Sequence, residues 1–343
     1  MNGRYQRTPE EIRRRKIARK KKRTRRRILT VLSIIAAFLL GIAVGKKLPE
    51  EKGTLQQALQ GEIHSLTSDI EDKEEQPCDK REAGMQTGLT LDELSSLAVE
   101  KPKKLTRGEA ITILTQKATE DERYSQVLEK ESLYPDEILI NLANNPEQIS
   151  FAVDYPGENL SISEGLTEDE LAQKCPLFLQ WDKRWGYHEY GDESTIAVSG
   201  CGPTSLAMVV VGLTHDASVT PEKVADFAMN NDFYMYGTGT MWSLMTDGAA
   251  YFGLDSTQID IDKGQMETCL NQNGMLICSL KSGDFTTAGH FIVIYGIEDG
   301  DFLVNDPFCV YRSSQSWSYD TLQPQLKSVW AVYANGSAEK AEA

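Results

Sequence analysis

The chain has 343 residues, a length that suggests about two domains, and it carries a formal net charge of −15 at pH 7. The charge is unevenly divided. Residues 1–47 hold sixteen Lys and Arg against two Glu, which leaves a net charge of −29 on the rest of the chain. Because an acidic body of this kind repels polyanions, the composition argues against a nucleic-acid partner.

The basic arm at residues 1–27 runs directly into an apolar stretch at residues 28–45. Eighteen uncharged residues are just long enough to span a bilayer as a helix. Basic residues on one flank predict a cytoplasmic N-terminus, with everything after Lys47 outside the cell. A cleaved signal peptide is the alternative, although the apolar core is long and no small-x-small cleavage site precedes Lys46. We therefore predict a single-pass protein of the cell membrane.

Two regions without recognisable chemistry follow the predicted membrane helix. Residues 46–88 are polar and acidic, and we interpret them as a stalk or linker. Residues 89–172 are predicted to form a helical collar packed on the domain that follows, with helices near 91–99, 107–119, 135–144 and 146–153. Three capping boxes support helix starts, each a Thr followed three residues later by Glu: Thr90 with Glu93, Thr106 with Glu109, and Thr167 with Glu170.

The stretch SGCGPTS at residues 199–205 places a cysteine between two glycines and is followed by an apolar run. Pro203 suits the first turn of a helix, where its missing N–H costs nothing. Cys201 is therefore predicted at the N-terminus of a buried helix. The free N–H groups and the dipole at such a position favour the thiolate, which is the nucleophilic form of cysteine.

A candidate base, His290, opens the apolar run of a predicted strand, and the next short run ends at Asp306. The turn between the runs decides whether these two side chains can meet. A two-residue loop would place them on opposite faces of the hairpin. A three-residue loop at 298–300, with Gly300 in the left-handed region, would set Ile292 opposite Asp306 and the two polar side chains on one face. We predict the three-residue loop.

The remaining pattern predicts helices at 203–213, 221–231, 240–252 and 264–272, then strands at 254–259, 275–280 and 328–333 around the hairpin. Helices first and an antiparallel sheet afterwards indicate an α+β domain. Residues 335–343 have nothing to bury and are predicted to be a disordered tail.

Four motifs in this order resemble a papain-like cysteine peptidase. They are FLQWDKRWGY at 178–187, SGCGPTS at 199–205, AGH at 288–290 and NDP at 305–307. More narrowly, they are similar to the peptidase-like domains of the thirty-ninth cysteine-peptidase family, whose namesakes process bacteriocins. The resemblance covers roughly residues 175–334 and implies a peptidase domain at 173–334, with the helix of the nucleophile packed on an antiparallel sheet. It also implies a bacterial surface protein.

Carried over residue by residue, the resemblance makes Cys201 the nucleophile and His290 the general base and then acid. Asp306 would orient His290, and Gln180 would donate a hydrogen bond to the oxyanion. One departure concerns Gln180, because about twenty residues separate it from the cysteine, whereas in many relatives only a few do. The implied partner is a peptide or protein substrate.

The other cysteines and histidines point to no second chemistry. No Cys-x-x-Cys or paired Cys and His spacing appears, so neither a metal nor a cofactor is expected. Cys269 and Cys278 lie in apolar patterns typical of core residues. A pairing of Cys78 with Cys175 stays open, Cys309 is a weak alternative thiol, and His188 and His215 lie in polar loops.

The sequence therefore predicts a membrane-anchored, extracellular cysteine peptidase. One alternative is a cell-wall endopeptidase of the NlpC type, whose third polar residue is typically histidine, so that Asp306 argues against it. The other is a catalytically silent peptide-binding module on the same scaffold, which a collar packed across Cys201 would favour.

Overall fold

The computed structural model describes residues 98–156, 165–191, 194–235 and 239–336. The predicted basic arm, membrane helix and stalk lie outside these ranges, as does the tail from residue 337. Within the described ranges, no helix is long and apolar enough to cross a membrane. All of the described residues belong to one compact unit, Lys80–Ala343.

Helices precede the sheet along the chain and also connect its strands. The α-helices are Arg107–Lys117, Glu122–Glu129, Asp136–Asn144, Ile149–Asp154, Glu168–Leu171, Ile196–Ser199, Cys201–Thr214, Pro221–Asn230, Asp247–Tyr251, Lys263–Asn271, Val310–Ser313 and Tyr319–Leu322. Short 3-10 turns occupy Glu131–Leu133, Pro146–Gln148, Trp242–Met245 and Gln323–Gln325. The strands are β1 (Tyr234–Met235), β2 (Gly239–Thr240), β3 (Leu254–Ile259), β4 (Met275–Leu280), β5 (His290–Glu298), β6 (Asp301–Asn305), β7 (Ser316–Trp317) and β8 (Leu326–Ala334).

Six of the strands form one antiparallel sheet in the order β3-β8-β4-β5-β6-β7. Every residue of β4 is buried, as expected for a central strand covered on both faces. Ile277 and Val293 point into one core, whereas Cys278 and Ile292 point into a second core on the opposite face. The predicted combination of helices with an antiparallel sheet is confirmed, and the predicted bounds of β3 and β4 match the structure.

The cysteine helix, Cys201–Thr214, is the main element on the first face of the sheet. It is buried without interruption from Gly202 to Val211, which explains why its sequence is apolar all round rather than amphipathic. The helix packs against Pro221–Asn230 and against β5. Cys201 stands at its N-terminal end, where the thiol is only partly buried.

The described part of the collar, residues 98–156, has a core of its own that continues into the following domain. Leu114, Ile138 and Phe151 pack in the same cluster as Trp181 and Val310. Two predicted capping boxes are confirmed, because Thr106 and Thr167 each exchange both hydrogen bonds with the glutamate three residues on. The collar is therefore joined to the second half of the chain by a continuous apolar interior.

One predicted helix is wrong in part, and another lies almost entirely outside the described residues, as does the predicted capping box of Thr90 with Glu93. Residues 240–252 do not form one helix, since Thr240 pairs with Tyr234 in a short hairpin and only 242–245 and 247–251 are helical. Of the helix predicted at 91–99, only residues 98 and 99 are described, and neither is helical. The helix Glu122–Glu129, capped by Asp121, was not predicted.

Candidate active site

The hairpin that carries His290 and Asp306 does not have the predicted turn. Glu298 pairs with Asp301, so the loop is the two-residue turn Asp299–Gly300. Both residues have positive φ, 53° and 85°, as a type I′ turn requires. With regular pairing along the whole hairpin, this turn would place His290 and Asp306 on opposite faces.

A β-bulge restores the register farther along the hairpin. The pairing shifts between Ile294 and Gly296, so Tyr295 is the extra residue and Val293 lies opposite Asn305. Continued by one step, this register places Ile292 opposite Asp306. His290 lies two residues before Ile292 and therefore shares a face of the hairpin with Asp306. The extra residue in β5 thus cancels the effect of the shorter turn.

His290 and Asp306 are in direct contact at the end of the sheet. Nε2 of His290 lies 2.7 Å from Oδ1 of Asp306, and the aspartate side chain is fully buried. A carboxylate can only accept, so Nε2 carries the proton of this bond. The bond fixes the orientation of the imidazole and leaves Nδ1 for exchange with a nucleophile.

Asp306 is held by two further groups besides His290. The backbone N–H of Phe308 donates to Oδ1 over 2.8 Å, and Nε of Arg312 donates to Oδ2 over 2.6 Å. Burial alone would raise the pKa of Asp306, but the charges of Arg312 and His290 and their hydrogen bonds hold that pKa below its usual value. The carboxylate is therefore ionised at neutral pH and has donors on both oxygens.

Cys201 meets the same imidazole from the start of the cysteine helix. Burial would lower the pKa of His290, but the charge and hydrogen bond of Asp306, together with the influence of Cys201, raise that pKa to about 9. The imidazole is therefore cationic at neutral pH. The neighbouring Gly202 has no room for a side chain, since a Cβ there would meet Thr240 at 2.7 Å. The β2 strand thus approaches the helix start closely.

Gln180 is buried against the turn that leads to Cys201. Its Nε2 donates to the backbone carbonyl of Ala197 over 2.7 Å, and its own N–H donates to the carbonyl of Pro307 over 2.7 Å. Gln180 is therefore connected both to the helix Ile196–Ser199, which precedes the cysteine helix, and to the loop after Asp306. The amide has a second hydrogen on Nε2 that this bond does not use.

The other described cysteines differ from Cys201 in burial. Cys175, Cys269, Cys278 and Cys309 are buried, and burial raises the pKa of each thiol. Cys269 and Cys278 are core residues, as predicted. Cys309 is a poor nucleophile, because burial and the nearby carboxylates of Glu147 and Asp306 raise the pKa of its thiol. Cys175 is a free thiol, and Cys78 lies outside the described residues.

One surface cluster of potential metal ligands was missed by the sequence reasoning. His188, Glu222 and Asp226 each bring a ligand atom within 4.8 Å of the others. Nε2 of His188 already lies 2.7 Å from Asp226, and Nδ1 lies 3.6 Å from Glu222. The group lies at the surface, and Glu222 and Asp226, one helical turn apart, flank the imidazole of His188.

Comparison with protein families agrees with this geometry. Residues 172–338 match the model of the Peptidase_C39 like family, just under half of the chain. No curated protein sequence matches the chain significantly. The family match indicates a cysteine peptidase domain in the part of the chain that contains Gln180, Cys201, His290 and Asp306.

Proposed function

We propose that the chain is a membrane-anchored, extracellular cysteine peptidase that hydrolyses peptide bonds through Cys201, His290 and Asp306. The observation that carries the proposal is the shared imidazole. Nε2 of His290 bonds a buried aspartate, and Cys201, at the start of the cysteine helix, contributes to the raised pKa of the same ring. A nucleophile, a base and a group that orients the base are the parts that acyl transfer requires.

The first half of the reaction forms a thioester. The thiolate of Cys201 attacks the peptide carbonyl carbon, and the carbonyl electrons move to oxygen. The second Nε2 hydrogen of Gln180 and the N–H of Cys201 are the proposed donors to that oxyanion. The imidazolium of His290 then gives its proton to the leaving nitrogen as the C–N bond breaks.

The second half returns the enzyme to its starting state. Neutral His290 takes a proton from a water molecule, whose oxygen attacks the thioester carbon. The C–S bond breaks, the carboxylic acid leaves, and the thiolate and imidazolium are restored. Throughout the cycle Asp306 stabilises the cationic imidazole and keeps it in one orientation.

The proposed location depends on the sequence alone. Residues 28–45 provide an apolar segment of spanning length, and the sixteen basic residues of 1–47 are the signal for a cytoplasmic N-terminus. The catalytic domain would then face the exterior. Protease protection of the N-terminal arm in sealed cells, with digestion of the domain, would support this orientation, and the reverse pattern would contradict it.

The activity is tested with the full-length protein and a quenched fluorescent peptide library under reducing conditions. Wild type should cleave members of the library, and iodoacetamide or Cys201→Ala should abolish cleavage. Cleavage by the Cys201→Ala protein would disprove the mechanism. Peptide binding without cleavage by wild type would favour the peptide-binding module instead.

A further inference from the structure

We propose that Arg312 and Glu147 are positioning residues for Asp306, so that the collar holds part of the candidate active site. The inference rests on the proposed function, since it concerns the same His290–Asp306 pair. It also goes beyond the family match, because Glu147 lies outside residues 172–338.

Arg312 holds the oxygen of Asp306 that His290 does not use. Its Nε donates to Oδ2 over 2.6 Å, and its side chain is 4% exposed. The guanidinium also lies over the ring of Phe308, with 5.9 Å between its carbon and the ring centroid. A carboxylate free to rotate could turn either oxygen towards His290. The bond to Arg312 fixes which oxygen faces the imidazole and at what angle.

Glu147 in turn holds the helical turn that carries Arg312. Its Oε2 accepts from the N–H of Val310 over 2.9 Å, and its Oε1 accepts from the N–H of Tyr311 over 2.8 Å. These are the first N–H groups of Val310–Ser313, which have no partners within their own helix. A collar carboxylate 163 residues away in sequence therefore adds to the local cap, in which Sγ of Cys309 accepts from the N–H of Arg312 over 3.5 Å.

The collar makes a second contact with the same loop. The side chain of Asn145 donates to the carbonyl of Phe308 over 2.7 Å and also bonds Glu147 over 3.2 Å. Asn145 and Glu147 are both fully or almost fully buried. Burying a carboxylate costs free energy. Burial raises the pKa of Glu147, and its bonds to the loop beside Asp306 offset part of that effect.

Among the described residues, the charged and titratable groups that act on this arrangement are Arg312, Asp306, Glu147, Cys309, His290 and Cys201. Arg312 interacts with Asp306, Glu147 and the thiol of Cys309, and Asp306 interacts with Arg312 and His290. Loss of Arg312 therefore has two opposite consequences for His290. Removing a nearby positive charge would raise its titration midpoint, whereas loss of the Asp306 orientation would lower it. The positioning role predicts that the second effect dominates.

The test is a titration of His290 by NMR in the full-length chain in detergent. The chain has only four histidines, His64, His188, His215 and His290, so ¹⁵N-histidine labelling gives few signals, and His290→Ala identifies the relevant one. In Arg312→Gln we expect the His290 midpoint to fall from about 9 towards its usual 6.5, by about one pH unit or more. Glu147→Gln should cause a smaller shift in the same direction, because Gln retains one acceptor oxygen.

The matched controls are Arg184→Gln and Glu170→Gln, which disrupt another buried arginine with its carboxylates. They should lower the melting temperature and leave the His290 midpoint unchanged. An unchanged or raised midpoint in both Arg312→Gln and Glu147→Gln would overturn the positioning role. If Arg312→Gln fails to fold, the conservative Glu147→Gln variant decides the question.

This readout separates the inference from the proposed function. No substrate is needed, so the midpoint reports on the orientation of Asp306 even if the chain cleaves nothing. Absence of peptide cleavage by wild type would overturn the function alone. An unmoved midpoint in an active enzyme would overturn the positioning role alone.

Discussion

Arg184 and Arg312 are both buried and both paired with an aspartate, but the two aspartates differ in their other contacts. Arg184 bonds Asp182 and Glu170, each over 2.7 Å, and its side chain is 3% exposed. Arg312 bonds Asp306 over 2.6 Å, and its side chain is 4% exposed. Both are charged groups whose removal from water is compensated by carboxylates.

The difference lies in what else the aspartate contacts. The oxygens of Asp182 accept hydrogen bonds from the side chain and the backbone N–H of Arg184. Both oxygens are therefore bonded to a residue only two positions away. Asp306 offers one oxygen to Arg312 and the other to His290, whose ring also interacts with Cys201. A buried ion pair thus contributes only to stability in the first case and also orients a titrating base in the second.

The largest expected contrast comes from the two aspartates. Asp306→Asn should destabilise the fold by about 3 to 5 kcal/mol, because it leaves the buried Arg312 without its bonded carboxylate. Asp182→Asn should destabilise the fold less, because Arg184 keeps Glu170. Only Asp306→Asn should also reduce peptide cleavage, by about 10²- to 10⁴-fold, since the imidazolium loses its counter-charge. Cleavage assays below the melting temperature of both variants would measure this difference. Equal losses of activity in the two variants would contradict the orienting role of Asp306.

Inserting one alanine between Gly296 and Ile297 should separate His290 from Asp306 without changing either. The inserted residue adds a position to β5, so Val293 instead of Ile292 lies opposite Asp306 and His290 points to the other face. We expect activity to fall as far as in His290→Ala, about 10²- to 10⁴-fold. Deleting Tyr295 is the control, because it removes the unpaired residue of the bulge and leaves Ile292 opposite Asp306. An active insertion variant would contradict the register.

Gln180→Ala should slow peptide cleavage without changing the reactivity of the Cys201 thiol. If Gln180 donates to the oxyanion, its loss reduces the rate of cleavage by about 10²- to 10³-fold. The alkylation rate of Cys201 should be unchanged, because alkylation forms no oxyanion. A fall in both rates would show that Gln180 acts through the packing of Ala197 rather than through the oxyanion.

The smallest expected effect is on the pH dependence of stability. The pKa of His290 is raised from its usual 6.5 to about 9, so its stabilising contribution is full below pH 6.5 and is lost as pH rises through about 9. The change in the free energy of unfolding should be on the order of a few kcal/mol. His290→Gln should flatten this part of the curve in chemical denaturation, whereas Arg184→Gln should lower the curve without changing its slope.

Local patterns were enough to predict many of the elements. The β-branched and apolar runs at 254–259 and 275–280 gave the bounds of two strands, and the capping box at Thr106 gave a helix start. Cys201 at the beginning of a buried helix followed from the glycines and Pro203. Each of these signals lies within a few residues of the feature it determines.

The features that were missed depend on distant parts of the chain. The predicted three-residue turn at 298–300 was wrong. The structure has a two-residue turn at Asp299–Gly300, and the bulge at Tyr295 brings His290 and Asp306 to one face instead. Nothing in an apolar run of residues marks the position of a bulge. Arg312 and Glu147 belong to no motif. Their contacts with the loop after Asp306 arise from collar packing across 163 residues, a distance at which sequence spacing carries no geometric information.

The most direct measurement is site-resolved alkylation of the full-length chain by iodoacetamide between pH 5 and 9, in wild type and His290→Ala. We expect Cys201 to react faster than Cys175, Cys269, Cys278 and Cys309 and to do so already at pH 5. His290→Ala should remove this advantage at low pH. A Cys201 no more reactive than the buried thiols, or one indifferent to His290, would contradict an activated nucleophile at this position.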